Sequence, residues 1–114
     1  FWLRESAFEL DWRVDGADEV AAIMSARDEL GSREGIIVAN PIPATAEIPA
    51  SEMNGYITKA LESAANNGIS GKAVTPFLLS KILELTEGRS LTANIALVEN
   101  NARLAARIAL ALQA

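Results

Sequence analysis

Residues 35–39 have the sequence Gly35-Ile36-Ile37-Val38-Ala39, a continuous apolar run with three β-branched side chains. A strand with one solvent-exposed face would alternate apolar and polar residues, whereas this run is apolar throughout. The pattern is typical of a strand buried on both faces, as in a parallel sheet between helical layers. Asn40-Pro41 ends the run, because proline has no N–H to donate to a neighbouring strand. We therefore predict an α/β fold with at least one buried strand, over about residues 35–40.

Four helices are predicted around this strand, which makes the chain the helix-rich part of an α/β/α protein. Their boundaries follow from capping residues at the start and glycine at the end. The predicted helices run from an Asp15 cap to Leu30-Gly31, from about Ser51 to Asn66, from a Thr75 cap with Pro76 to Gly88, and from a Ser90 cap to about Leu112. Residues 1–14 are predicted to be extended, with one short strand as an open alternative.

The composition excludes several classes of function. The 114 residues are half apolar, which suits one domain with a real core. Neither cysteine nor histidine occurs, so thiol nucleophiles, imidazole bases and the usual structural zinc sites are excluded. The net charge of −5 has no basic cluster, which argues against a nucleic-acid polymer as partner. Polar residues interrupt the last helix too often for a membrane span, and the absence of cysteine fits a cytoplasmic protein.

The loop Gly68-Ile69-Ser70-Gly71-Lys72 has a superficial likeness to a phosphate-binding loop. Its glycines are too close together, Ala73 stands where that loop has serine or threonine, and the element before it is a predicted helix rather than a strand. We therefore exclude a nucleoside-triphosphate site. Lys72 is interpreted as a loop lysine, with a contact to a single phosphate as the alternative.

Three asparagines are candidates for binding a ligand. Asn94 and Asn101 lie seven residues apart on the apolar stripe of the last helix, and a buried amide without a partner costs about 1–3 kcal/mol. Either they bind neighbouring backbone and fix the packing, or they face a ligand pocket. Asn40 follows the predicted strand, at the sheet edge where α/β proteins bind ligands. Asn-Pro is equally a plain turn signal, so both interpretations stay open there as well.

Three long motifs stand in order along the chain, at Gly35–Pro43, Gly71–Leu79 and Ser90–Arg103. Together with the opening Phe1–Ser6, they resemble the C-terminal portion of the pseudouridine-5′-phosphate glycosidase family, formerly called indigoidine-synthase-A-like. The resemblance covers essentially the whole chain. Ala7, where the family pattern has glycine, and residues 44–46 depart from it, and both departures fall in loops.

The resemblance implies an α/β enzyme, commonly a homotrimer, that reversibly cleaves the C–C glycosidic bond of pseudouridine 5′-phosphate. The products are uracil and ribose 5-phosphate. It also implies a lysine that forms an imine with the ring-opened sugar, a glutamate that shuttles protons, and a divalent metal such as manganese held by an aspartate. Those groups belong to the portion of the family's proteins upstream of Phe1. We therefore assign this chain no catalytic and no metal-binding residue.

By the same resemblance, the family's C-terminal asparagine near the nucleobase corresponds to Asn94. We take Asn94, Asn40 and Thr75 as the candidate substrate-binding residues. Residues 1–114 are interpreted as the C-terminal fragment of a single α/β catalytic domain, inactive on its own. Two alternatives are kept: a non-catalytic, acidic helical module that binds a partner protein, and a related C-glycosynthase of secondary metabolism.

Overall fold

Helices dominate the computed structural model, which describes residues 2–114. They are α1 (Ala17–Glu29), α2 (Ala50–Asn66), α3 (Val74–Leu85) and α4 (Arg89–Ala111), with short 3-10 turns at Ala44–Ala46 and Gly71–Ala73. The chain forms two compact units. The first comprises residues 2–4 and Pro41–Leu97, and the second comprises Glu5–Asn40 and Val98–Ala114. No described helix combines the length and apolar character that crossing a bilayer requires.

The first unit has a continuous apolar core. α2 packs against α3, and the first half of α4 contributes to the same core. The spacing of Met53, Ala60 and Ala64 along α2 places these buried side chains on one face, as a 3.6-residue repeat requires. The buried core consists of Ile42, Ile48, Met53, Ala60, Ile82 and Ala93. The first unit therefore holds its helices together by burial of apolar surface.

A buried threonine joins α3 to α4. Thr86 is 2% exposed, and its hydroxyl donates to the carbonyl of Ile82 at 2.8 Å and accepts from the backbone N–H of Ser90 at 3.1 Å. Ser90 is also buried, and its carbonyl accepts from the indole Nε1 of Trp2 at 3.1 Å. One hydroxyl thus satisfies a backbone donor in the first turn of α4, which no residue of the same helix can do.

The N-terminal residues pack against the loop that precedes α2. The carbonyl of Trp2 accepts from the N–H of Ile48 at 3.1 Å. The guanidinium of Arg4 donates to the carbonyl of Ile42 at 2.7 Å, and the Arg4 N–H donates to Glu47 Oε1 at 2.9 Å. These contacts over about 40 residues of sequence fix the loop in which Ile42 and Ile48 enter the core.

The second unit buries much less. Only Val20 and Ala21 of its apolar side chains are buried, both on α1. Phe8, Leu10 and Trp12 alternate with charged residues, as in a strand with one apolar face, yet they are 84%, 68% and 81% exposed. Residues 5–16 form neither helix nor strand, and the chain bends at Ala7, Asp11 and Asp15–Gly16. The single-domain assignment for residues 1–114 stays a prediction.

The predicted strand over residues 35–40 does not form in the described part of the chain. The segment is extended, but Ile37 is 95% exposed and the segment pairs with no other strand. The physical reason is that a strand needs a neighbour for its N–H and C=O groups, and residues 2–114 contain none. The four predicted helices are confirmed, whereas the α/β class is not visible in this chain taken by itself.

Three predicted caps are wrong, although each helix lies close to its predicted range. α1 begins after Gly16 without a side-chain cap, and the Asp15 N–H donates to Glu19 Oε2 at 3.3 Å. α3 begins at Val74, directly after a 3-10 turn, so Thr75 is its second residue and caps nothing. α4 begins at Arg89, and the hydroxyl of Thr86 satisfies the first-turn donor instead of Ser90. The predicted glycine stops are confirmed at Gly31 and Gly68, which have φ values of 71° and 65°.

Candidate functional site

Asn94 lies in α4 beside the core of the first unit. It directly follows buried Ala93, stands one turn after buried Ser90, and is itself half-buried. Within residues 2–114 its side-chain amide has no hydrogen-bond partner. No buried side-chain nitrogen or oxygen in this part of the chain lacks a partner, so the Asn94 amide reaches solvent. Asn94 therefore offers a donor and an acceptor that are fixed in place by a rigid helix and not engaged by the described residues.

Asn40 and Asn101 belong to the second unit and contact each other. The Asn40 Nδ2 donates to the Asn101 Oδ1 at 3.0 Å, although 61 residues separate them. Asn101 is exposed, although it lies on the predicted apolar stripe of the last helix. The reason is that the second half of α4 has little apolar surface packed against it. The apolar stripe of the helix therefore remains largely exposed to solvent there. The bond leaves one donor hydrogen of Asn40 and other amide groups of the pair available.

Thr75 is exposed in the first turn of α3. Its hydroxyl makes no side-chain hydrogen bond within the described residues. Of the three candidate substrate-binding residues, Thr75 and Asn94 are in the first unit, whereas Asn40 is in the second. The structure therefore describes the surroundings of each candidate residue separately and does not assign the three to a common pocket.

A charged cluster that the sequence analysis did not identify links α2 to α4. The guanidinium of Arg89 binds both carboxylate oxygens of Glu52, with the Nη2–Oε2 contact at 3.3 Å, and the Tyr56 hydroxyl donates to Glu52 Oε1 at 3.1 Å. The hydrogen bond from Arg89 lowers the pKa of Glu52, and a smaller effect of burial opposes it. The hydrogen bond to Glu52 raises the pKa of Tyr56.

The spacing of Glu52 and Tyr56, four residues apart on one helix, was the available signal for this cluster. The partner Arg89 is 37 residues away in sequence, so only the fold reveals it. The arrangement is a mutually satisfied ion pair. It explains how the start of α2 is tied to the start of α4.

No group of three or more aspartate or glutamate side chains in residues 2–114 is placed to hold a metal ion. Three of the carboxylates on the helices are also engaged by basic side chains: Glu52 pairs with Arg89, Glu84 with Lys81 at 2.9 Å, and Glu99 with Arg103 at 3.1 Å. The described residues do not fit a divalent metal, and we derive no step through one.

Comparison with known proteins identifies the family. The sequence profile of the family described as "Indigoidine synthase A like protein" matches residues 1–111. The chain belongs to this family. The predicted resemblance is thereby confirmed over nearly the full length of the chain.

Curated relatives carry a more specific name. The chain is 56% identical over 112 residues to a pseudouridine-5′-phosphate glycosidase of Dinoroseobacter shibae, covering 98% of this chain and 37% of that protein. It is 51% identical to the protein of the same name from Kosmotoga olearia, covering 98% of this chain and 39% of that protein. The chain thus spans little more than a third of the length of these relatives.

Two solved structures share the fold. An indigoidine synthase A-like protein from Thermotoga maritima is 38% identical and superimposes with a TM-score of 0.75, over 97% of this chain and 35% of its own. The prealnumycin C-glycosynthase, solved in complex with ribulose 5-phosphate, superimposes with a TM-score of 0.84 over 96% of this chain and 36% of its own. Its 24% identity shows a common fold and no more.

Proposed function

We propose that this chain forms the C-terminal part of a pseudouridine-5′-phosphate glycosidase. The observation that carries the proposal is the identity of 51–56% to proteins of that name across nearly the whole chain. The reaction breaks the bond between C1′ of ribose 5-phosphate and C5 of uracil. Water supplies the oxygen that C1′ receives and the proton that C5 receives.

In this proposal the nucleobase is bound in part by Asn94. Uracil presents an imide edge with one N–H donor flanked by carbonyl acceptors, and a carboxamide can accept from the one and donate to the other. The half-buried, unengaged amide of Asn94 on α4 suits that role, because the helix holds it in a fixed position. Asn40 and Thr75 are proposed as further polar contacts to the substrate.

The chemistry itself is proposed to depend on residues outside this chain. The described residues hold no acidic cluster suited to a metal. The lysine, glutamate and metal-binding aspartate that the family resemblance implies are not among the residues mapped here. A homotrimer of the longer protein remains part of the proposal.

Neither alternative is favoured by a specific observation. The relatives described above are named as enzymes, which favours a catalytic assembly over a purely structural binding module. The likeness to the C-glycosynthase is a likeness of fold at 24% identity and carries no substrate.

The proposal is tested with a chimera in which this chain replaces the matching 112 residues of the Dinoroseobacter shibae relative. We expect the chimera to release uracil from pseudouridine 5′-phosphate in the presence of manganese, and the 114-residue chain alone to release none. A folded chimera without activity, beside an active parent enzyme, would overturn the proposal. Turnover by the isolated chain at the parent's rate would show instead that the catalytic groups lie within residues 1–114.

A further inference from the structure

The indole of Trp2 contacts the first turn of α4 from the opposite end of the sequence. Its Nε1 donates to the Ser90 carbonyl at 3.1 Å, across 88 positions of the chain. Trp2 is itself fixed, because its carbonyl accepts from the Ile48 N–H at 3.1 Å and its ring packs against the apolar core of the first unit. The indole N–H is therefore a donor held in a defined position beside α4.

The backbone of Ser90 is anchored on both sides by groups outside α4. Its N–H donates to the Thr86 hydroxyl at 3.1 Å, and its C=O accepts from Trp2. Ser90 is buried, and so is Ala93 one turn further along the same helix. Helices fray at their ends, where backbone groups lack partners within the helix. The two anchors oppose fraying of the first turn of α4.

The Ser90 carbonyl also connects this anchor to Asn94. In an α-helix the C=O of one residue accepts from the N–H four positions later, so the Ser90 carbonyl is the acceptor for the Asn94 N–H. A carbonyl oxygen has two lone pairs and can accept from the indole and from the helix together. Trp2 and Asn94 thus share one acceptor, and a displacement of Ser90 displaces the backbone of Asn94.

The carboxamide of Asn94 depends on its helix for its position. It has no hydrogen-bond partner among residues 2–114, whereas the Asn40 amide is oriented by its bond to Asn101 at 3.0 Å. A side chain without a partner of its own is placed by the backbone that carries it and by the packing around it. Supporting contacts to that backbone therefore decide how precisely the carboxamide meets a ligand.

We propose that Trp2 is a positioning residue for Asn94 and acts through the Ser90 carbonyl on the contact to the nucleobase. The inference rests on the proposed function, in which Asn94 binds uracil. Trp2 does not touch the substrate, and Thr86 is the second anchor of the same turn. A purely structural role of Trp2 predicts a loss of stability and of active enzyme. The positioning role predicts a selective loss of affinity for uracil.

The test is Trp2→Phe in the chimera described above, which keeps an aromatic ring in the core and removes the indole N–H. In the direction of synthesis, uracil and ribose 5-phosphate are separate substrates with separate KM values. We expect the KM for uracil to rise about three- to tenfold, and kcat and the KM for ribose 5-phosphate to change less than about twofold. Trp12→Phe is the matched control in the second unit, where the side chain is 81% exposed, and should leave all three constants unchanged.

A double variant shows whether Trp2 acts through Asn94. In a chimera that already carries Asn94→Asp, Trp2→Phe should add no further rise in the KM for uracil, because both changes affect one contact. An undiminished effect in that background would overturn the proposal. So would a parallel change of both KM values, an unchanged KM for uracil in Trp2→Phe, or an equal rise in Trp12→Phe.

The second anchor provides the test if the Trp2→Phe chimera does not fold. Thr86→Val removes the hydroxyl that accepts from the Ser90 N–H, and Thr86→Ser keeps it. The KM for uracil should rise about three- to tenfold in Thr86→Val and remain within about twofold of the wild-type value in Thr86→Ser. Equal KM values in the two variants would overturn the proposal.

Amide hydrogen exchange distinguishes failure of this inference from failure of the proposed function. A folded wild-type chimera that neither releases nor consumes uracil counts against the proposed function, and exchange then tests the anchor. Trp2→Phe should accelerate exchange of the Asn94 N–H at least about threefold relative to the Leu97 N–H, whose acceptor is the Ala93 carbonyl. Faster exchange would support the positioning of Asn94 by Trp2, and an unchanged ratio would overturn it.

Discussion

Both units of the chain contain large apolar side chains, but they differ in how many of them are buried. In the first unit, side chains from three helices and a loop meet in a core where Met53 and Ile42 are at most 1% exposed. In the second unit, Phe8 and Trp12 are more than 80% exposed, and only two apolar side chains on α1 are buried. An apolar composition is thus not enough for a core, because apolar side chains are buried only where another apolar surface packs against them. Within residues 2–114 the second unit has little such packing.

The difference in burial predicts a difference in stability between the two units. Burial of apolar surface stabilises by roughly 25 cal/mol per Å², and side chains left in water contribute none of it. We therefore expect the first unit to carry most of the free energy of unfolding of the isolated chain. The second unit should open locally at a much lower cost. The following substitutions test this contrast.

The largest effect is expected in the first core. Met53→Ala should lower the free energy of unfolding by about 2–5 kcal/mol, because it removes a fully buried side chain and leaves a cavity. The matched change Ile37→Ala in the second unit should cost less than about 0.5 kcal/mol in the isolated chain. Denaturant titrations followed by circular dichroism measure both values. Similar costs for the two variants would remove the contrast between the units.

Asn94 and Asn101 compare the two units on a single helix. In the chimera, Asn94→Asp should lower kcat/KM about tenfold to a few hundredfold, equivalent to roughly 1.4–3.5 kcal/mol, because an amide donor becomes an acceptor. Folding should change little, since the described residues do not engage this amide. Asn101→Asp keeps an oxygen that accepts from the Asn40 amide at an exposed position, so stability should change by less than about 0.5 kcal/mol.

Steady-state kinetics and thermal melts of the two variants separate a substrate contact from a structural one. Full activity of the Asn94→Asp chimera would show that Asn94 does not bind the nucleobase. Loss of its folded structure would assign the residue a structural role instead.

Thr86→Val tests how the first unit connects its last two helices. The substitution keeps the branched shape but removes the hydroxyl that accepts from the buried Ser90 N–H. A buried donor left without a partner costs about 1–3 kcal/mol, and we expect a loss in this range. Thr92→Val on an exposed part of α4 is the control and should be nearly neutral. A neutral Thr86→Val would mean that water replaces the hydroxyl.

The smallest effect concerns the ion pair of Glu52 with Arg89. The folded pKa of Glu52 lies below its ordinary value of 4.5, so the pair stabilises the first unit above that pH and loses this effect as pH falls through the folded value. Thermal melts of the wild-type chain and Glu52→Gln should differ modestly at neutral pH and converge in acid. A difference that persists unchanged at low pH would contradict the assigned role of the carboxylate charge.

The sequence predicted the local structure well wherever the signal was itself local. The four helices follow from apolar periodicity, and Gly31 and Gly68 end theirs because glycine adopts a positive φ at low cost. Helix starts were less predictable. Three side chains expected to cap do not: α1 begins after Gly16, α3 follows a 3-10 turn, and Thr86 accepts from the first turn of α4.

The long-range contacts could not be predicted from the sequence. The pairs Asn40–Asn101, Glu52–Arg89 and Trp2–Ser90 join residues 37 to 88 positions apart, and no local pattern specifies such distances. The different burial of Asn94 and Asn101 could not be predicted for a related reason. A helical stripe shows which side chains share a face, but not how much of that face another element covers.

The sequence by itself determined the family, the helices and the β-type character of residues 35–39, because motifs, periodicity and side-chain branching are properties of neighbouring residues. Only the tertiary structure decided which of these features are satisfied within the chain. It showed a packed first unit and a second unit whose strand-like segment is anchored at both ends but unpaired. The physical reason is that a helix completes its hydrogen bonds internally, whereas a strand depends on a partner that the local sequence does not contain.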